Sequence, residues 1–274
     1  MSKCVTVYTQ AYNVENYIEQ CIKSVLSQTF QDFEWILVEN GSTDKTREII
    51  RKYAALDERI KPDYFDVNQD GFTNYYIAEK ADGRYIVKID SDDWIEPEYL
   101  EKLIAPFEDP DVDISICGAV NYEEETGRET PHEYGELDGV YSKSDIEKQF
   151  IEMRSYMGTY WGKMFRREIF CSILPDMKEI GEKLKKGDNF GGDVAFALCY
   201  LGECKKLAFV NERMYHYRIH NNSYATRTIG TNRVFSCLAL RETEHHFLHK
   251  VNAYTEQNVI MVDLLFWQNI EQLI

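Results

Sequence analysis

The sequence predicts an α/β protein: a mostly parallel sheet with helices on both faces, followed by a mainly helical second half. Three observations carry that prediction. Short apolar runs of strand length alternate with segments of helical periodicity through about the first hundred residues, the pattern of successive βαβ units. Polar turns rich in glycine, serine and acids follow the strands. Past about residue 120 the alternation fades and helical spacing dominates.

Residues 4–9, CVTVYT, read as a buried strand. In AYNVENYIEQCIKSVLSQT, Ile18, Ile22, Val25 and Leu26 recur at helical spacing and give a helix one apolar face. FEWILV, 33–38, is the second strand. The turn ENGSTD then supplies Gly41, Ser42, Thr43 and Asp44, residues suited to capping a helix start. Ile49, Ile50, Tyr53 and Ala54 mark that helix. A strand is expected at 60–65, a helix at 72–81, and a fourth strand at 85–89. Beyond Pro97 come a helix at 98–107 and a strand at 111–119. The polar stretch 121–137, with Gly127, Pro131 and Gly135, reads as a hairpin or surface excursion. Helices follow at 144–154, 167–173 and 193–201, short strands at 206–210 and 214–217, and two closing helices at 232–249 and 255–273.

The bulk composition narrows the function. With 274 residues, 44% of them hydrophobic, the chain can bury a substantial core. Its formal charge of −16 argues against nucleic acid as a partner, because phosphate-backbone binding needs a basic footprint. A small phosphorylated ligand stays open, since one metal ion reverses the local sign. Seven cysteines, an odd number without a CxxC pair, fit a reduced, cytoplasmic setting. Cys199 and Cys204 have no matching His or Cys pair, which argues against a zinc site. MSKCVTVYTQ lacks the apolar core of a signal peptide, and no stretch reaches the roughly 18 apolar residues of a membrane span. VIMVDLLFWQNIEQLI is interrupted by Asp263 and Glu271, so it reads as an amphipathic helix. It packs on the domain or on a second copy, giving a homo-oligomer through the C-terminal helices. The alternative is peripheral association with the inner face of a membrane. The apolar pattern runs to Ile274 uncapped, and the natural chain is expected to continue.

In a parallel sheet, ligands bind outside the carboxyl ends of the strands. The loops 10–15, 39–44 and 90–94 leave those ends and should converge on one crevice. The third follows the strand in VKIDSDDW, which delivers Asp90, Asp92 and Asp93 almost together. Carboxylates crowded this way suit a hard divalent cation, Mn2+ or Mg2+, with positions left for phosphate oxygens. A solvated acidic turn is the alternative. Trp94 packs over the turn or stacks on a ligand. Tyr12 can stack on a base or sugar, and Asn13 caps a helix or faces the ligand. Glu39 and Asn40 hydrogen-bond a nucleobase or ribose, or else form an ordinary turn with Gly41.

AYNVENYIEQCIKSVLSQTFQDFEWILVENGSTDKT and ADGRYIVKIDSDDWIEPEYL resemble the family 2 glycosyltransferases, and WGKMFRREIF, GGDVAF and YHYRIHNNS are looser matches to that family's acceptor-side motifs. The resemblance implies the GT-A fold, with its Rossmann-like sheet. It also implies a nucleotide-diphosphate sugar donor, usually UDP-linked, and a divalent metal. Transfer would proceed with inversion to a glycan or lipid-linked acceptor, most often in bacterial surface polysaccharide synthesis. It divides the chain into a donor-binding core at 1–120, an acceptor-side part at 121–225 and C-terminal helices at 226–274.

By position, Gln10, Ala11 and Tyr12 line the uracil pocket, and Glu39 and Asn40 fall on the acidic pair that binds uridine. Asp90 and Asp92 fall on the DxD motif: Asp92 holds the metal against the diphosphate, and Asp90 helps place ribose and metal. The role of Asp93 stays open. Asp193 falls on the base that takes the acceptor hydroxyl's proton. It also reads as a helix N-cap, a compatible role. Arg218 offers bidentate binding to the diphosphate. His216 or His220 completes the metal shell, or each is a packed strand residue. Trp161 and Lys163 line the acceptor side.

Three departures stand out. Glu39–Asn40 replaces the common Asp–Asp, and Gly192 replaces the Glu that usually precedes the base. GFTNYYIAEKADG lacks the family's helix arginine, with only Asn74 and Lys80 nearby. They keep a second reading alive, a catalytically inactive sugar-nucleotide or glycan-binding relative. A nucleotidyltransferase ranks last, because QAYNVENY has neither the glycine nor the lysine of a basic phosphate loop.

Overall fold

The computed structural model describes residues 4–69, 73–132, 137–184, 190–220 and 232–271. Strand β1 (Val5–Ala11) pairs in parallel with β2 (Phe33–Asn40) on one side and β4 (Tyr85–Lys88) on the other, and β3 (Ile60–Phe65) extends the parallel run beyond β2. The side chains alternate between two apolar layers, as strand geometry requires. Val5 and Val7 join Phe33, Trp35 and Leu37 in one layer, while Tyr8 joins Ile36, Val38 and Ile86 in the other. Helices α1 (Ile18–Leu26), α2 (Thr46–Ala54) and α3 (Thr73–Lys80) connect these strands. The anticipated apolar face of α1 is the buried one, formed by Ile18, Cys21, Ile22 and Val25.

Past the two-residue β5 (Trp94–Ile95) and helix α4 (Tyr99–Ile104), β6 (Val112–Glu123) continues the sheet, and β7 (Arg128–Pro131) folds back on it as a hairpin. Here the architecture departs from a purely parallel sheet. Strand β8 (Gly139–Ser142) joins the sheet's far side, and β9 (Lys163–Arg166) inserts antiparallel between β4 and β6. The long β10 (Lys206–Ile219) runs parallel to β6 and takes β8 and β5 antiparallel along its other edge. The main order is β3-β2-β1-β4-β9-β6-β10-β5. The two short strands expected at 206–210 and 214–217 are one strand, interrupted in register between Val210 and Arg213.

The second half supplies α5 (Ile146–Ser155), α6 (Arg167–Ser172), α7 (Leu174–Leu184), α8 (Gly192–Glu203), α9 (Arg233–Lys250) and α10 (Glu256–Glu271). Helix α8 is buried along most of its length. Helix α9 packs against α8, and α10 packs on α9. Helix α10 leaves Ile260, Leu264 and Trp267 exposed at helical spacing. Among the described residues no helix is long and apolar enough to cross a membrane. All seven cysteines are unbridged.

The close approach of the β4 entry to β1 depends on Gly83. Its N–H donates to Thr6 Oγ1 at 2.9 Å, and the Thr6 hydroxyl in turn donates to Glu34 Oε1 at 2.8 Å. A Cβ on Gly83 would lie 2.4 Å from the Thr6 backbone nitrogen, so only glycine fits. Gly83→Ala is expected to destabilise the protein by about 2–4 kcal/mol through overpacking against backbone. Urea unfolding checks this, and an unchanged midpoint would show that the approach is not tight.

Candidate active site

Because β1, β2 and β4 are parallel, their C-terminal loops emerge on one edge. The first two loops are stitched together. The Asn13 N–H donates to Ser42 Oγ at 3.1 Å, and the Thr43 N–H donates back to Asn13 Oδ1 at 2.9 Å. The Glu15 N–H reaches Asp44 Oδ2 at 3.0 Å, and the Lys45 N–H reaches Glu15 Oε2 at 2.9 Å. Asn13 adopts a left-handed φ of 51°, a conformation asparagine tolerates better than most residues.

Of the residues expected at the donor, Tyr12 stands exposed on this edge, whereas Ala11, Glu39 and Asn40 are buried and Gln10 is half-buried. Gln10 Oε1 accepts from the Tyr8 hydroxyl at 3.4 Å. Glu39 accepts the Ser42 N–H at 2.6 Å and the Arg47 guanidinium. Asn40 clasps the following loop, donating to Asn68 Oδ1 at 2.7 Å and accepting from the Gln69 N–H at 2.9 Å. Both side chains thus brace loops in this structure. Sequence reasoning missed Arg47. Its signal was a cation in the first turn of a helix, where the helix dipole disfavours it without a local partner.

In the acidic turn the three carboxylates separate. Asp93 is buried: it accepts the Tyr215 hydroxyl at 2.7 Å and the Arg218 N–H at 2.8 Å. Burial, with Asp92 and Asp90 beside it, pushes its carboxyl well above the usual range, and these two donors pull it back. Asp90 and Asp92 stay partly open, at 33% and 26% side-chain exposure. The Lys88 ammonium pairs with Asp90 Oδ1 at 3.2 Å. Asp92 Oδ2 lies 3.0 Å from His220 Nε2. Burial and Asp90 raise the Asp92 carboxyl, and His220 opposes them.

Two expectations are corrected here. Arg218 is not a free clamp for phosphate. It is buried, donates through Nε to the Asp92 carbonyl at 2.7 Å and through Nη2 to Gln20 Oε1 at 2.5 Å, and pairs with Glu124. Its guanidinium also lies over the Tyr17 and Trp94 rings at 4.9 and 4.8 Å. His216 is engaged away from the turn's aspartates. It stacks on Trp94 at 4.7 Å and bonds Glu96 Oε1 at 2.7 Å. Trp94 therefore packs over the turn.

Asp193 lies in the first turn of α8. It is not the N-cap: that position is Gly191, at a φ of 78°. Asp193 is exposed, although nearby protein desolvates its carboxyl. Loss of solvation raises its carboxyl; Lys88, Lys163 and a hydrogen bond from the Tyr160 backbone lower it, while Asp90 pushes it further up. Lys88 thus lies in the fields of both Asp90 and Asp193. The sequence signalled it as a charge inside the apolar strand YIVKI. Trp161 and Lys163, expected on the acceptor side, are 5% and 1% exposed. Trp161 stacks between Tyr215 and Tyr217. Both side chains are packed inside the protein in this structure. Among the described residues no three acidic, histidine or cysteine groups are already gathered closely enough to hold a metal ion. Asp92 and His220 are adjacent, and Asp90 is drawn toward Lys88.

Residues 6–174 match the sequence profile of glycosyl transferase family 2. The chain is 31% identical over 253 residues to EpsH of Bacillus subtilis (strain 168), a protein assigned to the glycosyltransferases, covering 92% of this chain and 71% of EpsH. It is 29% identical to glycosyltransferase GlyA of Streptococcus pneumoniae serotype 4, over 80% of this chain but 31% of GlyA. TuaG of B. subtilis, assigned to teichuronic acid biosynthesis, is 41% identical over 99 residues, 36% of this chain and 39% of TuaG. Among solved structures, S. aureus TarS 1–349 in complex with UDP superposes with a TM-score of 0.65 at 19% identity, covering 90% of this chain and 68% of that one. The mannosyltransferase PcManGT from Pyrobaculum calidifontis, in complex with GDP-Man and Mn2+, gives a TM-score of 0.58 at 14% identity, covering 96% and 74%. At these identities the two superpositions speak to the fold alone.

The acidic turn depends on Tyr215, whose hydroxyl also accepts the Asp90 N–H at 3.0 Å. Tyr215→Phe leaves a buried carboxylate oxygen and a backbone N–H without this partner. The expected cost is about 1–3 kcal/mol, a fall in melting temperature of roughly 2–8 °C. Thermal unfolding reads it, and an unshifted melting curve would remove Tyr215 from this role.

Proposed function

The chain belongs to glycosyl transferase family 2, and on that premise we propose that it is a metal-dependent inverting glycosyltransferase. It takes the sugar of a nucleotide-diphosphate donor, a UDP-sugar, and transfers it to a hydroxyl of a glycan or lipid-linked acceptor. The observation that carries this reading is the pair of partly open acids, Asp90 and Asp92, at the carboxyl edge of the sheet, with Asp193 exposed in the first turn of α8.

In a single displacement the acceptor oxygen forms its bond to the anomeric carbon as the bond to the diphosphate breaks, and the acceptor's proton goes to a carboxylate oxygen of Asp193. Asp193 suits that role because the Tyr160 N–H and two lysines favour its ionised form against the effect of burial. Asp90, Asp92 and His220 offer two carboxylates and an imidazole, a donor set that suits Mn2+ or Mg2+. Bound there, the metal would neutralise charge on the leaving diphosphate. Tyr12 is the ring available to stack on the base. The UDP bound by TarS supports a uridine donor, and TuaG's assignment supports surface polysaccharide synthesis. The unbridged cysteines fit a reduced, cytoplasmic setting.

Asp92→Asn is expected to abolish Mn2+-dependent UDP binding in calorimetry. Asp193→Asn should bind UDP as the wild type does and lose about 10²–10⁴-fold in UDP release from UDP-sugars. Full turnover by Asp92→Asn would sink the metal assignment. UDP binding without UDP release from any of UDP-glucose, UDP-galactose and UDP-GlcNAc would favour the inactive-relative reading, which Gly192 already keeps open.

A further inference from the structure

Lys88 is a cation at the end of an apolar strand, and the proposed reaction does not use it. In β4 the residues before it, Ile86 and Val87, are fully buried, whereas the Lys88 side chain keeps 20% exposure. Its ammonium lies 3.2 Å from Asp90 Oδ1, as the two-residue period of extended chain allows. It also sits 5.1 Å from the centre of the Tyr160 ring. That ring is anchored, since its hydroxyl donates to Asn74 Oδ1 on α3 at 2.9 Å. Among the described residues Asp90 supplies the one ion pair of Lys88. An ammonium has three N–H donors, so one carboxylate contact leaves donors for an anion.

Among the described residues three basic side chains touch the acidic turn, and the other two are spent. Arg218 is 4% exposed and divides its guanidinium among the Asp92 carbonyl, Gln20 and Glu124. His220 bonds Asp92 Oδ2 at 3.0 Å and packs on the Tyr17 ring at 4.7 Å. A nucleoside diphosphate carries more negative charge than one divalent ion supplies, so a further cation at the site has an anion to meet. Neighbouring ligands of one small divalent ion lie about 3 Å apart. A diphosphate oxygen sharing an ion with Asp90 therefore comes within reach of an ammonium already 3.2 Å from that carboxylate. The Tyr160 ring stacks at 4.3 Å on Phe196, one turn along α8 from Asp193. Lys88 thus stands on the side of the acidic turn that faces the proposed base, where the phosphate bonded to the sugar belongs.

We propose that Lys88 is a diphosphate-binding residue: its ammonium, steadied by Asp90 and the Tyr160 ring, donates to an oxygen of the donor's β-phosphate. This inference rests on the reading of Asp90 and Asp92 as the diphosphate end of the donor site. Loss of solvation works against the Lys88 charge, but Asp90 and Asp193 outweigh it and hold the ammonium above the ordinary lysine range. Lys88 is therefore cationic when the donor arrives.

The test is a binding comparison that needs no turnover. Calorimetry at saturating Mn2+ measures UDP directly and UMP, which lacks the β-phosphate, by competition against UDP. Lys88→Met should weaken UDP about tenfold and UMP less than about twofold. Lys88→Arg, which keeps a cation, should stay within about threefold of wild type for both. Should Lys88→Met fail to fold, Lys88→Gln keeps an amide donor for Asp90 and is read by the same comparison. Equal losses for UDP and UMP would reduce Lys88 to a structural role, and an unchanged UDP affinity would overturn the contact. Wild type that binds UDP equally well in Mn2+ and in EDTA would sink the metal assignment instead, and the UDP–UMP comparison would still decide Lys88. Wild type that binds no UDP would sink the uridine-donor reading and this contact with it.

Discussion

The carboxyl edge is organised by one buried exchange between the acidic turn and β10. A carboxylate taken out of water needs donors on its oxygens or it costs several kcal/mol. Asp93 finds them 122 and 125 positions away, in the Tyr215 hydroxyl and the Arg218 N–H. The same hydroxyl accepts from the Asp90 N–H, and the Arg218 side chain takes the Asp92 carbonyl. The turn is thereby fastened at every acid, two through their backbones and one through its side chain. Asp93 faces inward and is consumed, which leaves Asp90 and Asp92 pointing out of the fold. The acid whose role the sequence left open is the one that makes the other two available.

Crowded like charges persist only where each has its own compensation. Asp90 has Lys88, Asp92 has His220, Asp93 has two hydrogen bonds, and Asp193 has two lysines and a backbone N–H. The chain as a whole carries a charge of −16, yet the crevice itself does not present uncompensated acid. An anionic diphosphate therefore meets a locally balanced surface, and electrostatic interactions beyond about 10 Å are largely screened at ordinary salt.

The first half of the fold was legible because its contacts are local. Each βαβ unit declares itself through strand-length apolar runs and helical spacing, and every expected strand before residue 120 exists. Three strands, β5, β8 and β9, and helix α7 were not legible. Strand β9 is four residues, KMFR, too short to show an alternating pattern, and its place between β4 and β6 is set by partners nearly eighty and fifty positions earlier. Helix α7 carries Pro175 and Gly181 in a charged sequence, LPDMKEIGEKL, that reads as loop. In the site, acids at strand ends were visible as such. What their neighbours do was not. Arg218 looked like a phosphate clamp because a guanidinium is suited to one, but its strand position buries it among Tyr17, Trp94 and Tyr122.

The antiparallel insertion of β9 ties the two halves of the site into one electrostatic unit. A parallel strand in that place would have carried residues 159–163 to the other end of the sheet. Running antiparallel, β9 begins where β4 ends, so Lys163 arrives beside Lys88. Like charges directly opposite on neighbouring strands are destabilising, and this pair is tolerable only with anions set against it. Asp90 and Asp193 are those anions, one at the end of β4 and one at the start of α8. Neutralising Asp90 leaves the Lys88 ammonium without the carboxylate it pairs with.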